Sequence, residues 1–150
     1  MSGIQIEVTP VQAERRKEQE SDRTAVAPAR GAVLVVEDDP ANRELLVELL
    51  SLWGYDPIAV GSAEEAEWAI RRHPIQAALV DVFLPGKNGE TLLPKLRERF
   101  PDATMIGMSA LGDAAMARRL KGVGADFFIA KPVISEELAE VLKAPHSTWH

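Results

Sequence analysis

From residue 32 onward the chain alternates short apolar runs with longer stretches whose apolar residues recur every three or four positions. The runs Val33–Val36, Ala77–Val80, Met105–Met108 and Phe127–Ala130 carry no charge and no internal alternation, the pattern of strands buried on both faces of a parallel sheet. Pro57–Val60 reads as a further strand. Between them, Asp39-Pro40 predicts a helix start, because an aspartate can cap and a proline suits the first helical position. Leu45, Leu46, Leu49, Leu50 and Trp53 then follow helical spacing until Gly54 stops the run. Ser62 with Glu65 forms a capping box for a second helix through Ile70. A third helix is predicted over Gly89–Arg99, where Pro94 should cost a hydrogen bond or introduce a slight kink. A fourth runs from about Asp113 to Lys121, closed by Gly122 and Gly124. Ser135 is expected to cap a fifth, which Pro145 cuts off near Lys143. Trp53 and Trp68 are expected to cover the helix–sheet interface.

Strands alternating with helices through short loops imply a parallel sheet with helices on both faces. Right-handed crossovers leave few ways to connect it. The expected fold is a doubly wound α/β domain with five parallel strands in the flavodoxin-like order 2-1-3-4-5.

Composition narrows the classes. The 150 residues are 46% apolar, enough for one domain with a proper core. No run approaches the roughly 18 apolar residues of a membrane span, and the N-terminus lacks a signal-peptide pattern, which together predict a cytoplasmic protein. The net charge of −6 argues against direct nucleic-acid binding, and Arg118, Arg119 and Lys121 read as a solvated helix face. There is no cysteine, so thiolate chemistry and cysteine-bound zinc are excluded. His73, His146 and His150 are too scattered or terminal for a histidine metal cluster. Residues 1–31 form a leader: Ile4, Ile6 and Val8 alternate weakly, Glu14–Arg23 is almost wholly polar, and a Pro/Ala linker follows. That segment cannot bury a core of its own and reads as a flexible leader or docking arm. Residues 32–144 are the folded domain and 145–150 a tail.

The chemistry lies at the ends of the strands. Open α/β sheets place ligands at the carboxyl edge, and here the strand ends carry Glu37-Asp38-Asp39, Asp81, Ser109 and Lys131. In the expected order the first and third strands are neighbours, which brings Glu37, Asp38 and Asp81 together. Three carboxylates repel, and a hard divalent cation such as Mg2+ would compensate them. With the Lys131 ammonium and the Ser109 hydroxyl added, the set suits a transferring phosphoryl group, and Asp81 could attack phosphorus to become an aspartyl phosphate. Asp39 reads as a helix cap rather than a ligand, and Gly86 and Gly89 as turn residues that let the loop after Asp81 reverse.

These segments resemble the receiver domain of two-component response regulators, in particular single-domain, chemotaxis-regulator-like members. The matching pieces are Val35-Val36-Glu37-Asp38-Asp39-Pro40, Val80 to Gly86 with Gly89, Met108-Ser109-Ala110, and Gly124 to Pro132. The resemblance implies that Asp81 is the phosphoacceptor and that Glu37, Asp38, Asp81 and the Phe83 backbone carbonyl hold Mg2+. It further implies that Ser109 and Lys131 contact the phosphoryl group, and that Ser109 and Phe128 switch on activation. The Lys131–Pro132 peptide would be cis. The implied partners are a histidine kinase or histidine phosphotransfer protein and a downstream protein target, with no nucleic acid and no membrane, and a phosphorylation-dependent homodimer is also allowed. Phe83 and Leu111 are apolar at positions that tune phosphoryl lifetime across receivers, which predicts slow self-dephosphorylation.

Two other readings compete. A pseudo-receiver would bind partners independently of phosphorylation. An aspartate-nucleophile phosphohydrolase would need a second acid two residues after the nucleophile, where Phe83 stands. A nucleotide-binding domain is weaker again, because no glycine-rich loop follows the first strand. The sequence ending soon after the fifth predicted helix suggests a switch without an output module, acting through contact on the face of the fourth helix, last strand and fifth helix.

Overall fold

The computed structural model describes residues 30–84, 89–110 and 114–143. The leader with its Ile4–Val8 segment, Gly86, Leu111, Asp113, Pro145, His146 and His150 lie outside the described residues. The elements are β1 (Ala32–Val36), α1 (Pro40–Leu52), β2 (Asp56–Val60), α2 (Ala63–Ala69) and β3 (Ala77–Asp81), followed by α3 (Gly89–Arg99), β4 (Thr104–Ser109), α4 (Ala114–Gly122), β5 (Phe127–Ala130) and α5 (Ser135–Lys143). The five strands pair in the order β2-β1-β3-β4-β5, and every pair is parallel. This is the expected doubly wound topology, with its reversal between β1 and β3.

The pleat divides the core into two layers. Val33 and Val35 of β1, Leu79 of β3, Ile106 and Met108 of β4 and Ile129 of β5 pack with Leu46 and Leu50 of α1 and Leu138 of α5. Leu34 and Val36, Ala78 and Val80, and Met105 face the other way, onto α2, α3 and α4 through Ala66, Leu92, Leu93, Leu96 and Leu120. The strands β1, β3 and β4 are almost wholly buried, which is why they read as unbroken apolar runs. The edge strand β2 is only half covered.

Four local expectations need correction. Leu45 fits the helical period of α1 but is 51% exposed, since Leu46 and Leu50 alone point into the core. Trp68 covers no interface: it is 57% exposed, with the Arg72 guanidinium stacked 4.3 Å from its ring centre. Ser135 begins α5 instead of capping it; its hydroxyl pairs with Glu136 Oε1 and the first helical bond runs from Leu138 N–H to the Ile134 carbonyl. Gly122 ends α4 from within, and Gly124, at a φ of 116°, makes the turn that follows. The capping residues Asp39 and Ser62 do act as read, accepting from Asn42 N–H and Glu65 N–H.

One polar cluster ties the lower half together. Arg97, in the last turn of α3, donates to the carbonyls of Pro101 (2.9 Å), Ala103 (2.8 Å) and Gly124 (3.0 Å), and to Asp126 Oδ2 (2.6 Å). Asp126 also accepts from Met105 N–H at 2.9 Å, so the pair clasps the starts of β4 and β5 to α3. Removing one partner of a largely covered ion pair strands the other and several carbonyls. Arg97→Ala is expected to lower the unfolding free energy by about 3 kcal/mol in a urea titration. A loss below about 1 kcal/mol would mean that water replaces the guanidinium at no real cost.

Candidate functional site

The parallel register brings the strand ends to one edge. Glu37 follows β1, its N–H bonded to the Val60 carbonyl at 3.0 Å, and it is fully buried. Asp81 closes β3 and is 5% exposed. Lys131 follows β5, its N–H bonded to the Ser109 carbonyl at 2.9 Å, and the Lys131–Pro132 peptide is cis. Glu37, Asp81 and Lys131 each lie two residues beyond a residue of the α1/α5 layer (Val35, Leu79 and Ile129), so the same row of the pleat carries all three to one side.

The contacts follow from that placement. Lys131 Nζ donates to Asp81 Oδ2 at 2.7 Å and lies 2.6 Å from Glu37 Oε1. The second contact is a close ion pair outside hydrogen-bond geometry, so the buried Glu37 Oε1 is held by the charge of Lys131. The other oxygen of Asp81, Oδ1, accepts from Phe83 N–H at 2.9 Å, and Glu37 Oε2 accepts from Asp39 N–H at 3.2 Å. Asp38 is exposed. One oxygen from each of Glu37, Asp38 and Asp81 lies within 4.8 Å of the others.

Burial pushes the Glu37 carboxyl above its usual range, and the Asp81 charge adds to this against the opposing pull of Lys131 and Asp39 N–H. Burial works to lower the Lys131 ammonium, but its hydrogen bond to Asp81 and its charge contacts with Asp81 and Glu37 outweigh that and hold it above the ordinary 10.5. The signs follow by linkage. Stability from Lys131 is present below 10.5 and is lost as pH rises past its raised value. Glu37 works with the opposite sign: ionising it inside the fold costs stability as pH rises above 4.5, a cost that a cation at the site would relieve.

The residues fit a small hard cation. All the donors are oxygens, their spacing suits one shared ion, and Asp38 leaves the cluster open to solvent. Like charges this close cost about 1 kcal/mol per pair where water still reaches them. Asp38→Asn is therefore expected to raise the stability of the metal-free protein by about 1 kcal/mol, and to erase any further gain on adding Mg2+. Calorimetric melting with EDTA and with Mg2+ checks both signs.

Of the other predicted site residues, Ser109 ends β4 beside Asp81 and Lys131 and is 1% exposed. Phe83 turns its ring outward, 52% exposed. Phe128 stands three residues before Lys131 and is half-buried against the α2/α3/α4 layer. Gly89 is not a turn residue. It is the first residue of α3, and a Cβ there would collide with the Asp81 carbonyl and lie 2.9 Å from Val82 Cα. Arg43 is a contributor that pattern reading passed over: its guanidinium donates to the Glu37 carbonyl at 2.8 Å. In the sequence it is one more polar residue on a helix, and only its spacing from the acidic pair could have marked it.

Residues 33–143 match the response regulator receiver domain. The chain belongs to this family. It is 38% identical over 118 residues to the transcriptional regulatory protein AruR of Pseudomonas aeruginosa, an alignment covering 74% of this chain and 47% of AruR. It is 35% identical to the sensor protein TorS of Escherichia coli, covering 73% of this chain and 12% of TorS. The chain thus spans less than half the length of these curated relatives. Among solved structures, a putative response regulator from Chloroflexus aurantiacus superposes with a TM-score of 0.71 at 30% identity, covering 75% of this chain and 94% of that one. A receiver domain protein described as CheY-like, from Methanospirillum hungatei, gives 0.72 at 27% identity, covering 79% and 94%. This response regulator receiver is a two-component signalling domain. Among the described residues no helix is long and apolar enough to cross a membrane.

Proposed function

We propose that this receiver is a phosphorylation-activated switch that accepts a phosphoryl group on Asp81 and passes the signal on by protein contact. The observation that carries the reading is Asp81 itself: a nearly buried carboxylate at a strand end, with Lys131 Nζ on one oxygen and Phe83 N–H on the other, beside two further acids. Glu37, Asp38, Asp81 and the Phe83 carbonyl would hold Mg2+, which supplies charge neutralisation for the incoming phosphoryl oxygens. A carboxylate oxygen of Asp81 bonds to phosphorus as the P–N bond of a phosphohistidine breaks. The electron pair of that bond goes to the imidazole nitrogen. Lys131 and Ser109 then bind phosphoryl oxygens, which draws on the Lys131 contacts that now serve Asp81 and Glu37. Because Lys131 is bonded to Ser109 through the backbone and follows Phe128 by three residues, a shift at Ser109 can pass to the face of α4, β5 and α5.

The donor in this reading is a histidine kinase or phosphotransfer protein, the site of action is the cytoplasm, residues 32–144 form the receiver, 1–31 a flexible leader or docking arm, and 145–150 a tail. A pseudo-receiver is disfavoured because all the site groups are in place, and a phosphohydrolase because Phe83 is no acid. Incubation with acetyl phosphate and Mg2+ should give an intact mass heavier by one phosphoryl group, and EDTA should prevent it. Absence of any adduct overturns the reading. With Phe83 offering no group to orient water, the adduct should outlast minutes after desalting into Mg2+; decay within seconds would refute slow self-dephosphorylation.

A further inference from the structure

We propose that Arg43 is a positioning residue for the acidic pair, its guanidinium fixing the backbone of Glu37 and Asp38, with Gly61 as the gap that admits it. The inference rests on the metal reading above and concerns how the apo protein holds its ligands ready.

Three carboxylates within 4.8 Å of one another push apart. The softest way for them to separate is rotation about the backbone of the β1–α1 loop, since Glu37 is buried but Asp38 is exposed. The ψ angle of Glu37 sets both the direction of its carbonyl and the placement of Asp38, so a donor that pins that carbonyl pins the pair. Arg43 NH1 does so at 2.8 Å and also lies 3.4 Å from the Asp38 carbonyl. The Val60 carbonyl holds the other side of the same residue through Glu37 N–H. The anchor is itself rigid: Arg43 N–H makes the first helical bond of α1 to the Asp39 carbonyl, and Asp39 caps that turn through Asn42 N–H.

Gly61 supplies the second, independent observation. A Cβ at that position would stand 3.1 Å from Arg43 NH1, 3.9 Å from Cζ and 4.0 Å from the Glu37 carbonyl oxygen. A Cβ there would press on the tip of the guanidinium, which must give by a few tenths of an ångström, and a larger side chain would press further, although the backbone of Gly61 has no left-handed φ that would itself call for glycine. The glycine thus leaves the guanidinium room at its bonding position. An arginine that served only solubility would need no such gap.

Groups that orient a ligand without touching the ion typically set its affinity by ten-fold or more. The test is the Mg2+ concentration at the midpoint of thermal stabilisation for the full chain, with the melting temperature in EDTA recorded alongside. Arg43→Gln is expected to raise the midpoint about ten-fold. Gly61→Val, which keeps Arg43 but displaces it, should raise it similarly. Arg119→Gln, which removes an exposed arginine paired with Glu90 on the surface, should leave it unchanged. A wild-type midpoint in both Arg43→Gln and Gly61→Val overturns the proposal, even if their melting temperatures in EDTA fall, because that is the signature of a residue serving the fold alone. A wild-type chain with no Mg2+ midpoint overturns the metal reading itself, and this proposal with it.

Discussion

Asp81→Asn is expected to abolish the acetyl-phosphate adduct completely while the protein stays folded. Asparagine has nearly the shape of aspartate, and its amide oxygen can still accept from Phe83 N–H, the bond that now holds Asp81 Oδ1. What it lacks is a second anionic oxygen able to bond to phosphorus. Lys131 loses one of its two anions but keeps Glu37 Oε1, 2.6 Å from Nζ. Three mutually repelling carboxylates become two. These changes oppose one another, so the unfolding free energy should move by no more than about 1 kcal/mol. Intact mass after acetyl phosphate and Mg2+, with a urea titration beside it, reads both quantities. An adduct of undiminished yield would place the acceptor elsewhere, with Asp38 the next carboxylate in the cluster. A large stability loss would instead mean that Lys131 depends on Asp81 more than on Glu37.

How much of this was legible beforehand differs by level. The strands are plain because a parallel sheet covered on both faces buries nearly every side chain of β1, β3 and β4, and burial leaves an unbroken apolar run. The meeting of Glu37, Asp38, Asp81 and Lys131 followed from topology, since a strand order with β1 beside β3 puts their carboxyl ends at one edge. Periodicity said less about helix faces. Leu45 and Trp68 have the residue type of a core position, yet each sits where its helix turns to solvent, and a one-residue rotation decides that. Arg43, Arg97 and Asp126 were not legible at all. Their work is done by side-chain donors reaching backbone carbonyls, and neither a carbonyl nor its direction appears in a sequence. Gly89 stands out in the sequence as a glycine, but its reason, close approach to the Asp81 and Val82 backbone, does not. Turn glycines and close-approach glycines look alike until the neighbouring backbone is in place.

That distinction sets the last expectation. Gly89→Ala should be among the most damaging single-methyl changes in the domain, costing about 3 kcal/mol. A turn glycine with ordinary φ would tolerate alanine, or even gain from it as the unfolded chain loses freedom. Gly89 has no left-handed φ, so strain of that kind is absent. The obstacle is space: the added carbon collides with the Asp81 carbonyl, stands 2.9 Å from Val82 Cα and 2.8 Å from Val80 Cγ1. Two of those three partners are backbone, and they cannot rotate away as a side chain can. The chain there is pinned further, because Gly89 N–H donates to the Val82 carbonyl and Val82 N–H to the Met108 carbonyl. Relief must come from lifting α3 off the sheet or from pushing the acceptor strand end aside. The first route loosens Leu92, Leu93 and Leu96, all fully buried. The second moves the carboxylate that Lys131 and Phe83 N–H now hold. Gly89→Ala is thus expected to lower the urea midpoint and to slow adduct formation together, whereas Arg97→Ala should lower only the midpoint. Wild-type stability in Gly89→Ala would show that the start of α3 can shift freely, and the close packing of α3 on the acceptor would then have no role in holding Asp81 in place.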